Sequence, residues 1–231
     1  MRHEIVDFLA SIGISRFEFE QLNEKVCKAG LEREFLEENW FHPQLYELTQ
    51  GISCFYDFKV NFMEYLAKFI GNMKGTKKHI VDGGCATGID ISFLAMQFPG
   101  HKFFGYDREN ALIAAAERRR KNLGIGNLEF SVETHGRATK KIPPADLLYT
   151  NGALGSDDGN TAVEVGKLVV GICRRVRSGG SYILAGMSEG AGFLEMQTEA
   201  NRNSIFLIRT DIIGNFGAEI AYNYLFRVRP Q

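Results

Sequence analysis

The sequence has few of the residues that form metal centres or disulfide frameworks. It contains five histidines and four cysteines, all widely spaced, and no C-x-x-C pair. The cysteines are Cys27, Cys54, Cys85 and Cys173. This spacing does not favour a zinc site, so no metal is expected, and it predicts free thiols in a reducing compartment.

Long apolar runs and an excess of one charge are also absent. No run approaches the roughly 18 apolar residues of a transmembrane helix. Arg2, Glu4 and Asp7 interrupt the first residues, unlike the apolar core of a secretory signal. We therefore expect a cytoplasmic protein that does not span a membrane. The 27 basic and 28 acidic side chains nearly cancel, which does not favour a general nucleic-acid binder.

Residues 1–75 have helical periodicity without strand-like alternation, so an N-terminal helical cap is predicted before a core of residues 76–231. Nearly half of the aromatic residues lie in this cap. Ser15 and Glu18 have the spacing of a capping box at the start of one helix. The helices are predicted at Ile5–Ile12, Ser15–Gly30, Leu31–Trp40 and Lys59–Gly71.

From His79 onward, short β-branched and aromatic runs alternate with helical patterns, and Gly or Pro separates them. This order predicts an α/β fold with a doubly wound, mostly parallel sheet. An antiparallel hairpin is predicted at its C-terminal edge, from Ile205–Ile213 and Tyr222–Val228. The other strands are predicted at His79–Asp82, Lys102–Tyr106, Leu128–Val132, Asp146–Tyr149 and Ser181–Ala185, and the helices at Asp90–Phe98, Asn110–Leu123 and Thr161–Val176.

The segment Ile80–Gly88 joins a predicted buried strand to a helix through a glycine-rich turn. Such a turn lets the backbone approach a ligand closely and directs a helix N-terminus toward it. In an open α/β sheet, this first turn lies at the topological switch point, where ligands bind. Its glycine spacing does not match the G-x-G-x-x-G fingerprint of dinucleotide-binding folds.

The turn resembles motif I of the class I S-adenosylmethionine-dependent methyltransferases, in which an acidic residue precedes G-x-G-x-G. Asp82 takes the acidic place, and Gly84, Cys85, Ala86 and Gly88 follow in the loop. Ala86 replaces the central glycine, and its methyl group narrows the approach of the backbone to a ligand. The resemblance implies a Rossmann-like methyltransferase that binds S-adenosylmethionine and releases S-adenosylhomocysteine.

Later segments extend the resemblance to about residue 185. Asp107 ends the second predicted strand, where the family has the carboxylate that binds both ribose hydroxyls. The resemblance also implies cofactor contacts for residues after the second, third and fourth strands and for a lid tyrosine in the cap. These are Arg108 along the adenine, Glu133 and Thr134 at the adenine edge, Asn151 in the motif IV segment Asp146–Gly152, and Tyr56.

The sequence says less about the methyl acceptor. Thr150–Ala153 lacks the D/N/S-P-P-Y/F tetrad of base N-methyltransferases, and Gly186–Ser188 lacks the Asp-Asn pair of metal-dependent catechol-type enzymes. His135, Tyr149 and Asn151 are candidates for a general base. No catalytic residue is assigned from the sequence.

We expect methyl transfer to a small, partly apolar molecule by in-line displacement, which needs mainly alignment and exclusion of water. Alternatives stay open: a methyltransferase-like binding or scaffold module without turnover, motivated by Ala86, a protein for another adenosyl ligand, or an RNA methyltransferase. The basic run Arg118–Lys121 motivates the RNA alternative. The run also fits a helix C-terminus, where cations complement the helix dipole, so nucleic acid is not the favoured partner. A homodimer is also left open.

Overall fold

Helices and strands alternate through most of the chain in the computed structural model, which describes residues 1–29, 42–134, 141–152, 162–188, 205–216 and 219–228. The helices are α1 (Arg2–Ser11), α2 (Leu22–Lys28), α3 (Pro43–Thr49), α4 (Ser53–Gly71), α5 (Ile89–Gln97), α6 (Asn110–Asn122) and α7 (Ala162–Cys173). The strands are β1 (His79–Gly83), β2 (Lys102–Asp107), β3 (Leu128–Val132), β4 (Ala145–Asn151), β5 (Val176–Ser188), β6 (Ile205–Phe216) and β7 (Glu219–Val228). In these ranges no helix is long and apolar enough to cross a membrane.

The strands form one sheet in the order β3-β2-β1-β4-β5-β7-β6. The first five are parallel to one another, and β7 lies antiparallel between β5 and β6. Parallel neighbours need crossover connections, which α5, α6 and α7 provide. The predicted α/β fold, with its mostly parallel sheet and C-terminal antiparallel hairpin, is confirmed. Because β1 pairs with β2 and β4, its carboxyl end lies at the centre of the sheet edge.

Alternate residues of the central strands point to opposite faces of the sheet. Ile80 and Leu147 belong to a hydrophobic cluster that also includes residues of α1, α4 and α5. Val81 and Leu148 belong to a second cluster with residues of α7. The N-terminal helices therefore bury one face of the sheet, which is why the strands are apolar on both sides. The division of the chain at residue 75 into cap and core stays a prediction.

Most elements of the core agree with the sequence prediction to within a few residues. The main difference there is the end of α7, predicted at Val176 but found at Cys173. Val176 instead opens β5, which pairs with Ala145 before a register shift leads to Ser181 beside Leu147. The extra residues of β5 form a bulge, within which Gly179 has φ +75°.

The helical cap differs more from its prediction. The capping box forms at Glu18 and Gln21 and not at Ser15 and Glu18, because the Glu18 amide donates to Gln21 Oε1 over 3.1 Å. It opens a short 3₁₀ turn before α2. Helix α3 was not predicted, and α4 begins at Ser53 and not at Lys59. The predicted helix over Leu31–Trp40 lies outside the described residues.

A single parallel bridge also forms in the cap, although no strand-like pattern precedes Lys77. The Phe17 amide donates to the Gly51 carbonyl over 2.8 Å, and the Ser53 amide donates to the Phe17 carbonyl over 2.8 Å. These bonds attach the segment after α1 to the start of α4. The bridge is too short to leave a periodic signal in the sequence.

Candidate active site

The glycine-rich loop after β1 turns through the left-handed region at alternate positions. Gly84, Ala86 and Gly88 have φ of +71°, +47° and +70°. The amides of Gly84 and Cys85 both donate to the carbonyl of Tyr106, over 2.8 and 3.0 Å. The loop is therefore bound to β2 from its first residues, and the left-handed turns account for the glycines in the motif.

Asp107, at the end of β2, accepts hydrogen bonds from two backbone amides. The Ala86 amide donates to its Oδ2 over 2.9 Å, and the Glu109 amide donates to its Oδ1 over 3.0 Å. The carboxyl is mostly buried, and this burial raises its pKa, while the two amides act in the opposite direction. Asp107 thus lies directly against the loop, and each oxygen has a second lone pair for a ligand.

Two glycines of the site make room for one aromatic ring. A Cβ added at Gly88 would lie 2.6 Å from Phe130, and one added at Gly105 would lie 2.5 Å from the same ring. Cys85 is also close, since its sulfur would lie 3.0 Å from the Gly105 Cβ. Gly88 therefore has a packing role between α5 and β3 in addition to its place in the motif.

Asp82 lies at the carboxyl end of β1 and is 3% exposed. Burial, and then the charge of Asp90, raise the pKa of this carboxyl well above its ordinary value. The hydroxyl of Tyr149 interacts with Asp82, but it makes no hydrogen bond of normal geometry. Burial and the two carboxyls also raise the pKa of Tyr149 well above its ordinary value. Tyr149 is therefore unsuited to act as a general base near neutral pH.

A buried ion pair joins the cap to the first turn of α5. The Lys59 ammonium on α4 donates to Asp90 Oδ1 over 2.7 Å. Asn151, at the end of β4, donates its Nδ2 to the other oxygen of Asp90 over 3.3 Å. This group joins the end of β4, the first turn of α5 and a helix from the cap.

A small cavity lies between these groups and is bordered by Tyr46 of α3. Its volume is about 10 Å³, room for about one water molecule. Burial, and then the charges of Asp90, Asp82 and Asp107, raise the pKa of the Tyr46 phenol well above its ordinary value. The cavity is lined by Tyr46, Lys59, Asp82, Gly84, Cys85, Ile89, Asp90 and Asn151.

Arg119 of α6 fastens α3 to the loop. One of its terminal nitrogens donates to Glu47 Oε1 over 2.6 Å, and the other donates to the Thr87 carbonyl. The Arg119 side chain is 9% exposed. Arg119 therefore has defined partners in Glu47 and Thr87. The sequence alone indicated only that it complements the helix dipole.

Residues 74–221 match the family described as "Methyltransferase domain". The match covers more than half of the chain and includes the loop, Asp107 and Asn151. The chain belongs to the class I methyltransferase family, which uses S-adenosylmethionine. A search of curated proteins gave no match.

The methyltransferase is similar in fold to several solved structures. One is magnesium protoporphyrin IX methyltransferase from Synechocystis PCC 6803 with bound S-adenosylmethionine, with 15% identity, a TM-score of 0.63, and coverage of 84% of this chain and 94% of that chain. Another is an S-adenosylmethionine-dependent methyltransferase from Clostridium acetobutylicum, with 10% identity, a TM-score of 0.61, and coverage of 73% and 91%. At these identities the similarity shows the fold.

The charges of the site fit a cationic cofactor. Asp82, Asp90 and Asp107 lie around the loop, and Lys59 is the one cation among the described residues that line the cavity. A sulfonium and an ammonium would lower the cost of keeping these carboxyls ionised. The residues present therefore fit S-adenosylmethionine.

The structure gives contacts within the protein, or only the exposure, for the other predicted site residues. Cys85 is buried, Arg108 is exposed and lies 3.3 Å from Glu109, and Thr134 is exposed. The Glu133 amide donates to the Asp107 carbonyl over 2.9 Å, and its carboxylate lies 3.3 Å from Lys141. His135 lies outside the described residues. Cofactor contacts of these residues stay predictions.

Tyr56 is buried on α4 but does not line the described cavity. Burial and then the Asp57 charge raise its pKa, whereas the three site carboxyls act on Tyr46. The tyrosine that meets those carboxyls is therefore Tyr46, and a cofactor contact of Tyr56 stays a prediction.

Sequence reasoning missed Tyr46, Lys59, Asp90 and Arg119. A signal exists for Lys59, because it interrupts an otherwise apolar stripe on α4. The stripe consists of Ile52, Tyr56, Lys59, Met63, Leu66 and Ile70, spaced by three or four residues. A lysine in a buried stripe requires a charged partner, and Asp90 provides it.

Proposed function

We propose that this methyltransferase acts on a small, partly apolar molecule. The observation that carries the proposal is the enclosure of the site by α3 and α4. Tyr46 lines the cavity, and behind it Phe62 of α4 packs edge-on against Tyr149, with 5.9 Å between the ring centres. An acceptor beside the cofactor would meet the Tyr46 ring together with charged side chains, which favours a compact molecule that is apolar only in part.

The cofactor is proposed to lie along the loop and to contact its backbone at Gly84, Ala86 and Gly88. Asp107 is the proposed ligand of the ribose hydroxyls, because a carboxylate accepts two hydrogen bonds from a vicinal diol. Asp82 and Asn151 are proposed to face the amino-acid end. Arg108, Glu133 and Thr134 are the proposed adenine contacts, and Tyr56 and Cys85 complete the predicted set.

Methyl transfer requires mainly that the protein align the acceptor with the methyl group of the cofactor. S-adenosylmethionine supplies an electrophilic methyl group on a sulfonium. The Tyr46 ring at the cavity would limit the access of water, and the loop and Asp107 would fix the position of the adenosine. An acceptor that is unprotonated at working pH needs no general base.

The basic run on α6 gives little support to an RNA substrate. Arg119 is engaged with Glu47 and Thr87, and Arg120 pairs with Glu117 over 2.9 Å. Half of the run is therefore already paired within the protein. The similar protein from Synechocystis is, by its name, a methyltransferase for the small molecule magnesium protoporphyrin IX, which agrees with the proposal.

The experiment is a transfer assay with S-adenosylmethionine labelled in its methyl group. The protein is incubated with a small-molecule extract and, separately, with total RNA, and the label in each fraction is counted. We expect label in the small-molecule fraction that requires the protein. Label in the RNA fraction alone would contradict the proposed acceptor class.

A binding measurement accompanies the assay. Wild-type protein is titrated with S-adenosylmethionine and S-adenosylhomocysteine by calorimetry, together with Asp107→Ala and with Asp7→Ala on the exposed side of α1 as the matched control. We expect at least about tenfold weaker binding in Asp107→Ala alone, as for loss of a charge-assisted hydrogen bond. Equal binding by all three proteins would contradict the proposed ribose site.

A further inference from the structure

The buried ion pair at the cavity needs a reason beyond stability. Lys59 Nζ and Asp90 Oδ1 are 2.7 Å apart, and their side chains are 4% and 8% exposed. Taking two charges out of water costs several kcal/mol for each ion, and apolar residues of similar volume often stabilise a protein equally well. Both side chains line the cavity, so their charges lie where a ligand would meet them.

The order of the strands fixes which end of the site the pair occupies. β2 and β4 lie on opposite sides of β1, so Asp107 at the end of β2 and Asn151 at the end of β4 flank the loop from opposite sides. Asn151 contacts Asp90, so the pair lies on the β4 side. With the ribose at Asp107, as proposed above, the amino-acid end of the cofactor extends toward this pair.

The amino-acid end of the cofactor is a zwitterion, so its carboxylate needs a positively charged partner and its ammonium a negatively charged one. Asp82 and Asp90 attract an ammonium and repel a carboxylate. Lys59 is the one positively charged side chain among the described residues lining the cavity. Its ammonium carries three donors, of which Asp90 accepts one.

We propose that Lys59 binds the α-carboxylate of S-adenosylmethionine, and that Asp90 holds the Lys59 ammonium at the cavity wall and faces the ammonium of the cofactor. Charge stays balanced, because the Lys59 ammonium then faces the cofactor carboxylate and the Asp90 carboxylate faces the cofactor ammonium. The inference rests on the cofactor site proposed above. Helix α4 then contributes to cofactor recognition although it lies outside residues 74–221, which match the family.

Decarboxylated S-adenosylmethionine provides the test, because it differs from the cofactor in the carboxylate alone. Binding of both compounds is measured by calorimetry for wild type, Lys59→Met and Lys59→Arg. Lys68→Met, at an exposed lysine on the same helix, is the matched control. We expect Lys59→Met to weaken the binding of S-adenosylmethionine about 10- to 100-fold and the binding of decarboxylated S-adenosylmethionine less than about threefold. Lys59→Arg should recover the binding of S-adenosylmethionine.

Equal losses for both compounds in Lys59→Met, or an unchanged preference for the carboxylate, would overturn the role of Lys59. If Lys59→Met leaves Asp90 unpaired and does not fold, Lys59→Met/Asp90→Asn removes both charges and is measured in the same way. In that variant the preference for the carboxylate must also be lost. If wild type binds neither compound, the cofactor site itself is wrong, which is a different result from a failure of Lys59.

Discussion

The backbone amide of Ala86 donates a hydrogen bond to Oδ2 of Asp107 over 2.9 Å, across 21 residues of sequence. The bond joins the middle of the glycine-rich loop to the end of the neighbouring strand. It forms where the backbone of Ala86 has φ +47°, in a region that costs a non-glycine residue about 1 kcal/mol or more. Asp107 thus stabilises this conformation of the loop.

Substitutions at Ala86 should reveal the backbone strain in the loop. Ala86→Gly relieves the left-handed strain but increases the entropy of the unfolded chain, so we expect a change in unfolding free energy within about 1 kcal/mol. Ala86→Val places a β-branched residue at the same φ and should cost about 1–3 kcal/mol. Urea unfolding measures both, and equal stability of the glycine and valine variants would show that the loop relaxes.

The contact between Gly105 and Phe130 predicts strong coupling. Gly105→Ala adds a Cβ 2.5 Å from the ring and should cost about 1–3 kcal/mol. In a Phe130→Leu background, the same substitution should cost at least about 1 kcal/mol less, since the ring atoms that clash are gone. A double-mutant cycle by urea unfolding measures the difference.

Gly126→Ala is the control, because its added Cβ meets nothing within 4 Å. Its cost should be the same in both backgrounds. Additive effects of Gly105→Ala and Phe130→Leu would contradict the packing argument.

The raised pKa of Asp82 predicts a pH-dependent stability with a definite sign. The unfolded carboxyl loses its proton near its ordinary pKa, whereas the buried carboxyl keeps its proton to higher pH. Between the two values the unfolded state binds fewer protons, so the free energy of unfolding falls as pH rises. Asp107 acts in the same direction, because its pKa is also raised.

Asp82→Asn should therefore gain stability relative to wild type as pH rises from about 4 toward neutrality. Unfolding by urea at a series of pH values measures this difference, with Asp7→Asn on the exposed side of α1 as the control. Parallel stability curves for wild type and Asp82→Asn would falsify the expectation.

Removal of Arg119 should release α3. Arg119→Ala loses the bonds to Glu47 and to the Thr87 carbonyl and should lower the free energy of unfolding by about 1–3 kcal/mol. Amide hydrogen exchange over Pro43–Thr49 should become faster, because α3 loses its attachment to α6. Arg120→Ala, which breaks a local pair with Glu117, should leave exchange in α3 unchanged. Equal protection of α3 in both variants would contradict this role.

The parts of the molecule that follow from the sequence are those with a local signal. Strands β1 to β4 are β-branched or aromatic runs between turn residues, and Gly84 and Gly88 are required by left-handed φ. Asp107 was found because its position relative to the loop is typical of the family. These features depend on neighbours close in sequence or on a known order of motifs.

The missed residues depend on contacts between distant parts of the chain. Glu47 and Arg119 are 72 residues apart, and Lys59 and Asp90 are 31 apart, so neither pair leaves a periodic pattern. Tyr46 lies on a seven-residue helix, which is too short for periodicity to reveal. Only the packing of α3 and α4 against the loop brings these side chains to the site.

The small size of the cavity beside Tyr46 has a kinetic consequence. With room for about one water molecule, it must widen before an adenosyl compound enters, so we expect α3, which carries Tyr46, to move and association to take place in two steps. At high cofactor concentration, the observed association rate then stops rising and equals the rate at which α3 opens. We expect the exchange of product for fresh cofactor to depend on the same motion, and Arg119→Ala to make it faster.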